Sequence, residues 1–241
     1  MKDKNISILS TRPLTHDVMM QAQENNITID VESFIETHNT IDKEVGSKIL
    51  RLVSKEIAVV FTSMNAAEAV IDCLKAINAE PEWTIYTLGG VTNTIISSYF
   101  TDSEIFSSAS NASEIAKTII TNEEDEVVFF CGNQRREELP ALLKSEDIKV
   151  EEVVVYKTLE TPVKIEKCYD GILFFSPSAA KSFFSINKIE PTTVLFAIGK
   201  TTAEALKQFS RNKVLVGTQP NKEHLAQQAM QYLLQQNTSA S

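Results

Sequence analysis

The chain has 241 residues, 43% of them hydrophobic, which is enough for one large domain or two domains of ordinary size. Its formal net charge is −9 at pH 7, and its 23 lysines and arginines are scattered along the sequence. Because no basic stripe is present, neither nucleic acid nor an anionic membrane surface is expected as a partner.

Short apolar strands alternate with longer helical patterns along the chain. This alternation predicts an α/β fold in which parallel sheets are covered by helices on both faces. Helices are predicted after most strands, for example at 65–77 and 178–186. In chain order, the predicted strands are 6–9, 58–61, 85–88, 127–130, 171–175, 194–198 and 214–216.

Cysteine and histidine usage gives no sign of disulfides or of a bound metal. Cys73, Cys131 and Cys168 are far apart and odd in number, which argues against a disulfide framework. The three histidines share no ligand spacing with them or with each other, so no metal or organic cofactor is expected. The first residues, MKDKNISILSTRP, contain too short an apolar run for a signal peptide or a membrane span. A cytoplasmic protein is the expectation.

The segment FAIGKTTAEAL contains Gly199-Lys200-Thr201, which looks like the end of a phosphate-binding P-loop. That loop needs a second glycine five residues before the Gly-Lys pair, and this position is Val194, inside an apolar strand. A P-loop is therefore excluded. What remains is a strand followed by a helix, with Thr201-x-x-Glu204 in the pattern of a capping box. Such a helix start can bind a carboxylate or phosphate, or it can be an ordinary strand-to-helix turn.

Four blocks of sequence occur twice in the same order. AVVFTSMNAAEAV around Ser63 matches GILFFSPSAAKSF around Ser176, and IYTLGGVTNTI matches LFAIGKTTAEAL. SSASNASEIAKTI matches VGTQPNKEHLAQQ, and residues 6–37 match residues 127–158. The repeat is far longer than a solenoid unit and predicts a duplicated α/β domain. The alternative is that strand–turn–helix units resemble one another in general.

Polar segments follow the predicted strands, where parallel sheets bind their ligands. The strand ends carry TSMN, GGVT, SPS and GKTT, and the two copies of the first block carry TRP and CGNQRR. These segments offer hydroxyls, amides and free helix N-termini, without a Ser–His–Asp set, a carboxylate pair or a Cys–His pair. A cleft between two such domains is expected to bind an anion through neutral donors, and not to perform strong acid–base chemistry.

An ordered set of motifs resembles the uroporphyrinogen-III synthase family: VVFTSMNAAEA, YTLGGVT, FFCGNQRREELPALL, VVVYKT, ILFFSPSAAKSF and FAIGKTTAEAL. The resemblance covers residues 6–225, nearly the whole chain. Two positions depart from what is common in the family. Lys200 stands where many relatives carry Pro or Glu, and Cys131-Gly132 replaces other small pairs.

The resemblance implies two similar parallel-sheet α/β domains joined by a two-stranded linker, with a ligand cleft between them. One domain is built from both ends of the chain. The implied limits are 1–35 plus 160–241 for domain 1, 39–153 for domain 2, and about 34–38 and 154–159 for the linker strands.

The family closes hydroxymethylbilane, a linear tetrapyrrole, into uroporphyrinogen III with inversion of ring D and loss of water. The resemblance therefore implies a monomeric, cofactor-free hydro-lyase of haem biosynthesis. Its substrate would be hydroxymethylbilane, and the enzyme that supplies this substrate is a candidate partner. Every ring of this substrate carries acetate and propionate groups, whose carboxylates the helix N-termini would bind. The alternative is a non-catalytic two-lobed α/β binding module for a polyanionic small molecule.

The resemblance also assigns candidate site residues. Tyr156 would donate a proton to the departing hydroxyl, or else only pack its ring on the core. Candidate substrate-binding residues are Arg12, Ser63, Asn65, Thr92, Asn111, Ser176, Ser178, Lys200, Thr201 and Thr202. The serines and Asn65 can equally cap helices, and Arg12 can form a surface ion pair. Thr202 is expected to bind a substrate carboxylate, while Thr201 mainly caps its helix.

The pair Arg135-Arg136 is the one tight cluster of basic residues. It either binds propionates or lies on a solvated helix face beside two glutamates.

Overall fold

The structure is a computed structural model that describes residues 5–239. This part of the chain forms two compact α/β units, of which unit 1 comprises residues 5–36 and 159–239 and unit 2 comprises residues 37–158. In chain order the elements are β1 (Ile6–Ser10), α1 (His16–Glu24), β2 (Ile27–Val31), β3 (Ile35–Asn39), α2 (Lys43–Val53), β4 (Ala58–Phe61), α3 (Met64–Ala76), β5 (Thr84–Leu88), α4 (Val91–Tyr99), β6 (Ile105–Ala109), α5 (Ala112–Thr121), β7 (Glu126–Gly132), α6 (Glu138–Ser145), β8 (Lys149–Glu160), β9 (Gly171–Phe174), α7 (Pro177–Ile186), β10 (Val194–Ala197), α8 (Lys200–Phe209), β11 (Val214–Val216) and α9 (Lys222–Ser239).

The boundaries between the units fall inside β3 and β8, which are hydrogen-bonded neighbours in one sheet. The predicted linker strands lie at these two positions, and the predicted ends of domain 1, at residues 1 and 241, lie outside the described residues. The function of β3 and β8 as a linker, and the predicted cleft, stay predictions.

Unit 2 contains a six-stranded sheet in the order β3-β8-β7-β4-β5-β6. The chain moves outward from β4 to β5 and β6, returns to the other side of β4 as β7, and continues to β8. All the pairings from β8 to β6 are parallel. The strand order therefore reverses between β4 and β7, and such a point leaves room for a ligand at the carboxyl ends of the strands.

Unit 1 repeats this arrangement in a five-stranded parallel sheet of order β11-β10-β9-β1-β2. Its β9, β10 and β11 correspond to β4, β5 and β6 of unit 2. Its β1 and β2 correspond to β7 and β8, so the order reverses between β9 and β1. The four repeated sequence blocks fall on these equivalent strands, which confirms the predicted pair of similar parallel α/β domains.

Each sheet buries both faces, because alternate residues of a strand point to opposite sides. In β4, Val59 and Phe61 pack with α2, α3 and α4, whereas Ala58 and Val60 pack with α5 and α6. In β9, Leu173 belongs to the core beneath α1 and α9, and its neighbours face α7 and α8. The strands are therefore continuous apolar runs, and for this reason the sequence predicts them.

All seven predicted strands are present, with ends that differ by one or two residues at most. Two edge strands, β2 and β6, are not predicted from the sequence. β2 alternates buried and exposed residues, and β6 (IFSSA) is mostly half-buried and rich in serine. Neither forms the continuous apolar run that marks a central parallel strand.

Candidate functional site

The carboxyl edge of the unit 2 sheet contains a cavity of about 420 Å³. It lies at the reversal between β4 and β7, and its walls come from the segments that follow β4, β6 and β7 and from β8. Residues important for its chemistry are Ser63, Asn111, Gly132, Arg135, Arg136 and Tyr156. The fold thus brings together three of the predicted site residues of unit 2 (Ser63, Asn111 and Tyr156).

Tyr156 lies near the C-terminal end of β8 and lines this cavity. Its half-buried ring also packs against the core formed with α2, α3 and α4. Its hydroxyl has no hydrogen-bond partner within residues 5–239. The packing expected of a core residue is therefore present, and the hydroxyl is still available to a ligand.

Ser63 and its repeat counterpart Ser176 precede α3 and α7 at the N-cap positions. The Ser176 hydroxyl accepts a hydrogen bond from the Ala179 N–H at 3.1 Å and so caps its helix. The Ser63 side chain makes no capping bond. Its hydroxyl lies in the cavity wall without serving the helix, which favours ligand contact at this one of the two serines.

Asn65 and Ser178 occupy the second position of α3 and α7, so neither is the N-cap residue. Both are half-buried. Asn65 is not part of the cavity lining, although it is on the helix that begins there.

Asn111 is the N-cap of α5 and its side chain caps the helix. Its side-chain oxygen accepts from the Glu114 N–H at 3.0 Å, and Glu114 in turn accepts from the Ser110 N–H at 2.6 Å. The Ser110 N–H and hydroxyl hold the pKa of Glu114 below its ordinary value. Asn111 therefore caps its helix, and it remains exposed at the cavity.

In unit 1, Arg12 is exposed directly after β1, next to the reversal between β9 and β1. The turn that carries it is fixed by two hydrogen bonds. The Ser10 hydroxyl donates to the Arg12 carbonyl at 2.6 Å, and the buried Thr11 hydroxyl donates to the Leu173 carbonyl at 2.8 Å. The turn that carries Arg12 is thus fixed at the carboxyl edge of this sheet.

The helix start at GKTT differs from its predicted form. Gly199 is the N-cap of α8 with extended backbone, and Lys200, which is exposed, is the first helical residue. The predicted capping box of Thr201 with Glu204 is wrong, because Thr201 is already the second residue of the helix. The chain turns into the helix two residues earlier than the sequence pattern suggested.

Thr202 is only 3% exposed, and its repeat counterpart Thr92 is 8% exposed. Both predicted binding hydroxyls are therefore almost covered by protein. Thr201 is half-buried and is the more accessible hydroxyl of the pair. The hydrogen bond from Thr202 to a substrate carboxylate stays a prediction.

The two arginines after β7 have different environments. Arg135 is paired with Glu152 of β8 and with Glu137, to which its Nη1 lies at 2.6 Å. These hydrogen bonds, that to Glu137 foremost, raise the pKa of Arg135 above its ordinary value. Arg136 is exposed and forms no ion pair within the described chain. Arg135 is therefore a neutralised structural cation, and Arg136 is the one available to an anion.

The model of the family described as uroporphyrinogen-III synthase HemD matches residues 19–227. The chain belongs to the uroporphyrinogen-III synthase family. A mutant uroporphyrinogen III synthase from the extremely thermophilic bacterium Thermus thermophilus aligns with a TM-score of 0.68 at 12% identity, covering 98% of this chain and 100% of that one. The uroporphyrinogen-III synthetase from Helicobacter pylori aligns with a TM-score of 0.64 at 17% identity, covering 94% and 99%. At these identities the structural likeness shows the fold alone.

Cys131 also lies in the wall of the cavity. It is buried, and this burial raises the pKa of its thiol to about 11. A thiol with that pKa stays protonated at neutral pH and is a poor nucleophile.

No helix in the described part of the chain is both long and apolar enough to span a membrane.

We expect Thr202→Ala to lower the free energy of unfolding by about 1–2 kcal/mol, because it removes a buried methyl group and hydroxyl. Thr201→Ala is the matched control on the same helix turn and should change stability by less than about 0.5 kcal/mol. Chemical denaturation measures both. Equal stability of the two variants would contradict the burial difference described above.

Proposed function

We propose that the protein is a uroporphyrinogen-III synthase, which cyclises hydroxymethylbilane to uroporphyrinogen III with inversion of ring D and loss of water. The observation that carries this proposal is the unit 2 cavity in a chain of this family. In this cavity lie the Tyr156 phenol and the Arg136 guanidinium, which have no hydrogen-bond or ion-pair partner among the described residues. The Ser63 hydroxyl, which does not cap its helix, lies in the same cavity at the strand-order reversal. In this proposal the enzyme is a monomeric hydro-lyase of haem biosynthesis that needs no cofactor.

The cavity suits a reaction controlled by position. The linear substrate tends to lose its hydroxyl and to cyclise unaided, which gives the uninverted type I isomer. The enzyme must therefore hold ring D so that the inverted bond forms first, and positioning of this kind contributes roughly 7–11 kcal/mol in favourable cases. A strong acid–base pair is not required for that task.

Tyr156 is the proposed proton donor. As the C–O bond of the hydroxymethyl group breaks, the phenol donates its proton to the departing oxygen, which leaves as water. The proton released when the new ring bond forms restores the phenol. A phenol is a modest acid, which fits a leaving group that already departs readily.

The substrate carboxylates are the proposed ligands of the polar groups. In unit 2 these are the Ser63 hydroxyl, the start of α3 and the Arg136 guanidinium. In unit 1 the proposed groups are Arg12, Ser176, Ser178, Lys200 and Thr201. The net charge of −9 does not oppose this, because free charges are screened beyond roughly 8 Å at physiological salt, whereas helix N–H groups act at contact distance.

The test is the product isomer formed from freshly prepared hydroxymethylbilane. Uroporphyrinogen III, formed faster than the spontaneous reaction, supports the proposal. Type I product alone, at the spontaneous rate, would instead indicate a binding module for a polyanion.

Tyr156→Phe should lower kcat by about 10- to 100-fold and raise the share of type I product, because it removes only the proton donor. The melting temperature should change little, since this hydroxyl has no partner in the described part of the chain. Tyr99→Phe is the control in the same unit. It loses a hydrogen bond of 2.6 Å to the Ala79 carbonyl and should affect stability but not the isomer ratio. Full activity of Tyr156→Phe would remove Tyr156 from the mechanism.

Arg136→Gln should raise KM by about 10-fold or more, since a hydrogen bond to a charged group contributes about 1.5–3 kcal/mol. Arg51→Gln removes the same charge from an exposed position on α2 and is the control. Initial rates over a range of substrate concentrations separate KM from kcat. The assignment fails if both variants have the KM of the unmodified protein.

A further inference from the structure

The pairing of β7 with β8 contains an irregularity beside the cavity. From Glu126 opposite Lys149 to Cys131 opposite Val154 the register is regular. The next residue, Gly132, is opposite Tyr156, so that β8 contains one additional residue at this point. Such a bulge redirects the side chains that follow it, and bulges are frequent next to active sites.

Gly132 and Tyr156 are opposite one another on adjacent strands, and the tyrosine ring covers the position where a side chain of residue 132 would lie. A Cβ atom built at Gly132 would be 2.6 Å from Tyr156 Cε2, 2.8 Å from its hydroxyl oxygen and closer still to Cζ. Real Cβ atoms do not approach other heavy atoms so closely. Only glycine therefore admits the ring in this position.

The backbone conformation of Gly132 does not itself demand glycine. Among the described glycines, the one with positive φ is Gly90. Gly132 belongs to β7, and its φ lies outside the positive range that disfavours other residues, so an alanine could adopt it. The need for glycine at residue 132 thus comes from the tyrosine ring alone.

The backbone around the bulge is fixed on both sides. The Asn133 N–H donates to the Tyr156 carbonyl at 3.2 Å, and the Thr158 N–H donates to the Asn133 side-chain oxygen at 2.9 Å. Gln134 donates a further hydrogen bond to the Thr158 carbonyl at 3.2 Å. A methyl group at residue 132 would consequently displace the ring, not the strand.

We infer that Gly132 is a positioning residue, which sets the place of the Tyr156 hydroxyl at the cavity by leaving space for its ring. This inference rests on the proposed function for its effect on catalysis. Gly132 acts through Tyr156, so its contribution should vanish when the ring is absent.

The experiment is a double-mutant cycle of Gly132→Ala and Tyr156→Ala, with kcat, KM, isomer ratio and melting temperature measured for each variant. Gly132→Ala alone should lower kcat by about 10- to 100-fold, close to the effect of losing the phenol, and raise the type I share. In the Tyr156→Ala background it should change neither kcat nor the melting temperature. If Gly132→Ala lowers kcat by the same factor in both backgrounds, the inference is overturned.

Gly171→Ala is the matched control. Gly171 is also a buried strand glycine facing an aromatic ring, since its Cβ would lie 3.0 Å from Phe196 Cε2. It should lower the melting temperature without altering the isomer ratio of the folded enzyme. An altered ratio in this variant would mean that any strained strand glycine affects the product, which also overturns the inference.

The two proposals fail in different ways. If the unmodified protein makes no type III product, the proposed function is wrong. The stability part of the cycle still tests the steric claim, because it needs no substrate. Should Gly132→Ala alone be too unstable to assay, removal of the ring must restore folding to the level of Tyr156→Ala. Instability that persists without the ring contradicts the steric claim.

Discussion

The strand-order reversal in each sheet is the constraint on which the candidate site depends. In unit 2, β4 and β7 are adjacent and parallel, but the segments that leave their carboxyl ends lead to α3 and α6, on opposite faces of the sheet. A gap opens where these segments separate, and it contains the cavity. The Ser63 hydroxyl, the start of α3 and the Arg136 guanidinium are placed by this one topological feature.

The charges around the cavity are arranged so that few of them are free. Glu152 and Glu137 neutralise Arg135, and the Cys131 thiol is kept protonated by burial. In the proposed function, such a site would hold an anion through hydroxyls, N–H groups and the Arg136 guanidinium. The half-buried charge of Arg135 is paired, which avoids the free-energy cost of an unpaired charge away from water.

The sequence predicted the central architecture well, because strands buried on both faces are continuous apolar runs and the repeat showed which of them correspond. It failed where the signal depends on tertiary surroundings. The edge strands β2 and β6 have no such run. Thr201 matched a capping pattern, but the chain enters the helix at Gly199.

The roles of the other site residues could not be predicted, because they depend on partners from distant parts of the chain. The two adjacent arginines look alike in the sequence, and ion pairs with Glu152, on the neighbouring strand, and with Glu137 separate the role of Arg135 from that of Arg136. Gly132 was visible as a departure from the family, but its meaning depends on the bulge that brings Tyr156 opposite to it.

The discontinuity of unit 1 also has a consequence for the order of folding during synthesis. β1 is an inner strand of its sheet and lies between β2 and β9, yet β9 is made only after the whole of unit 2. Until then the emerging N-terminal segment has two strands and one helix, too little to be stable by itself. Unit 2 is continuous and can fold first on the ribosome. Until β9 is made, residues 5–36 cannot bury their apolar side chains in this sheet, and the segment is exposed to aggregation.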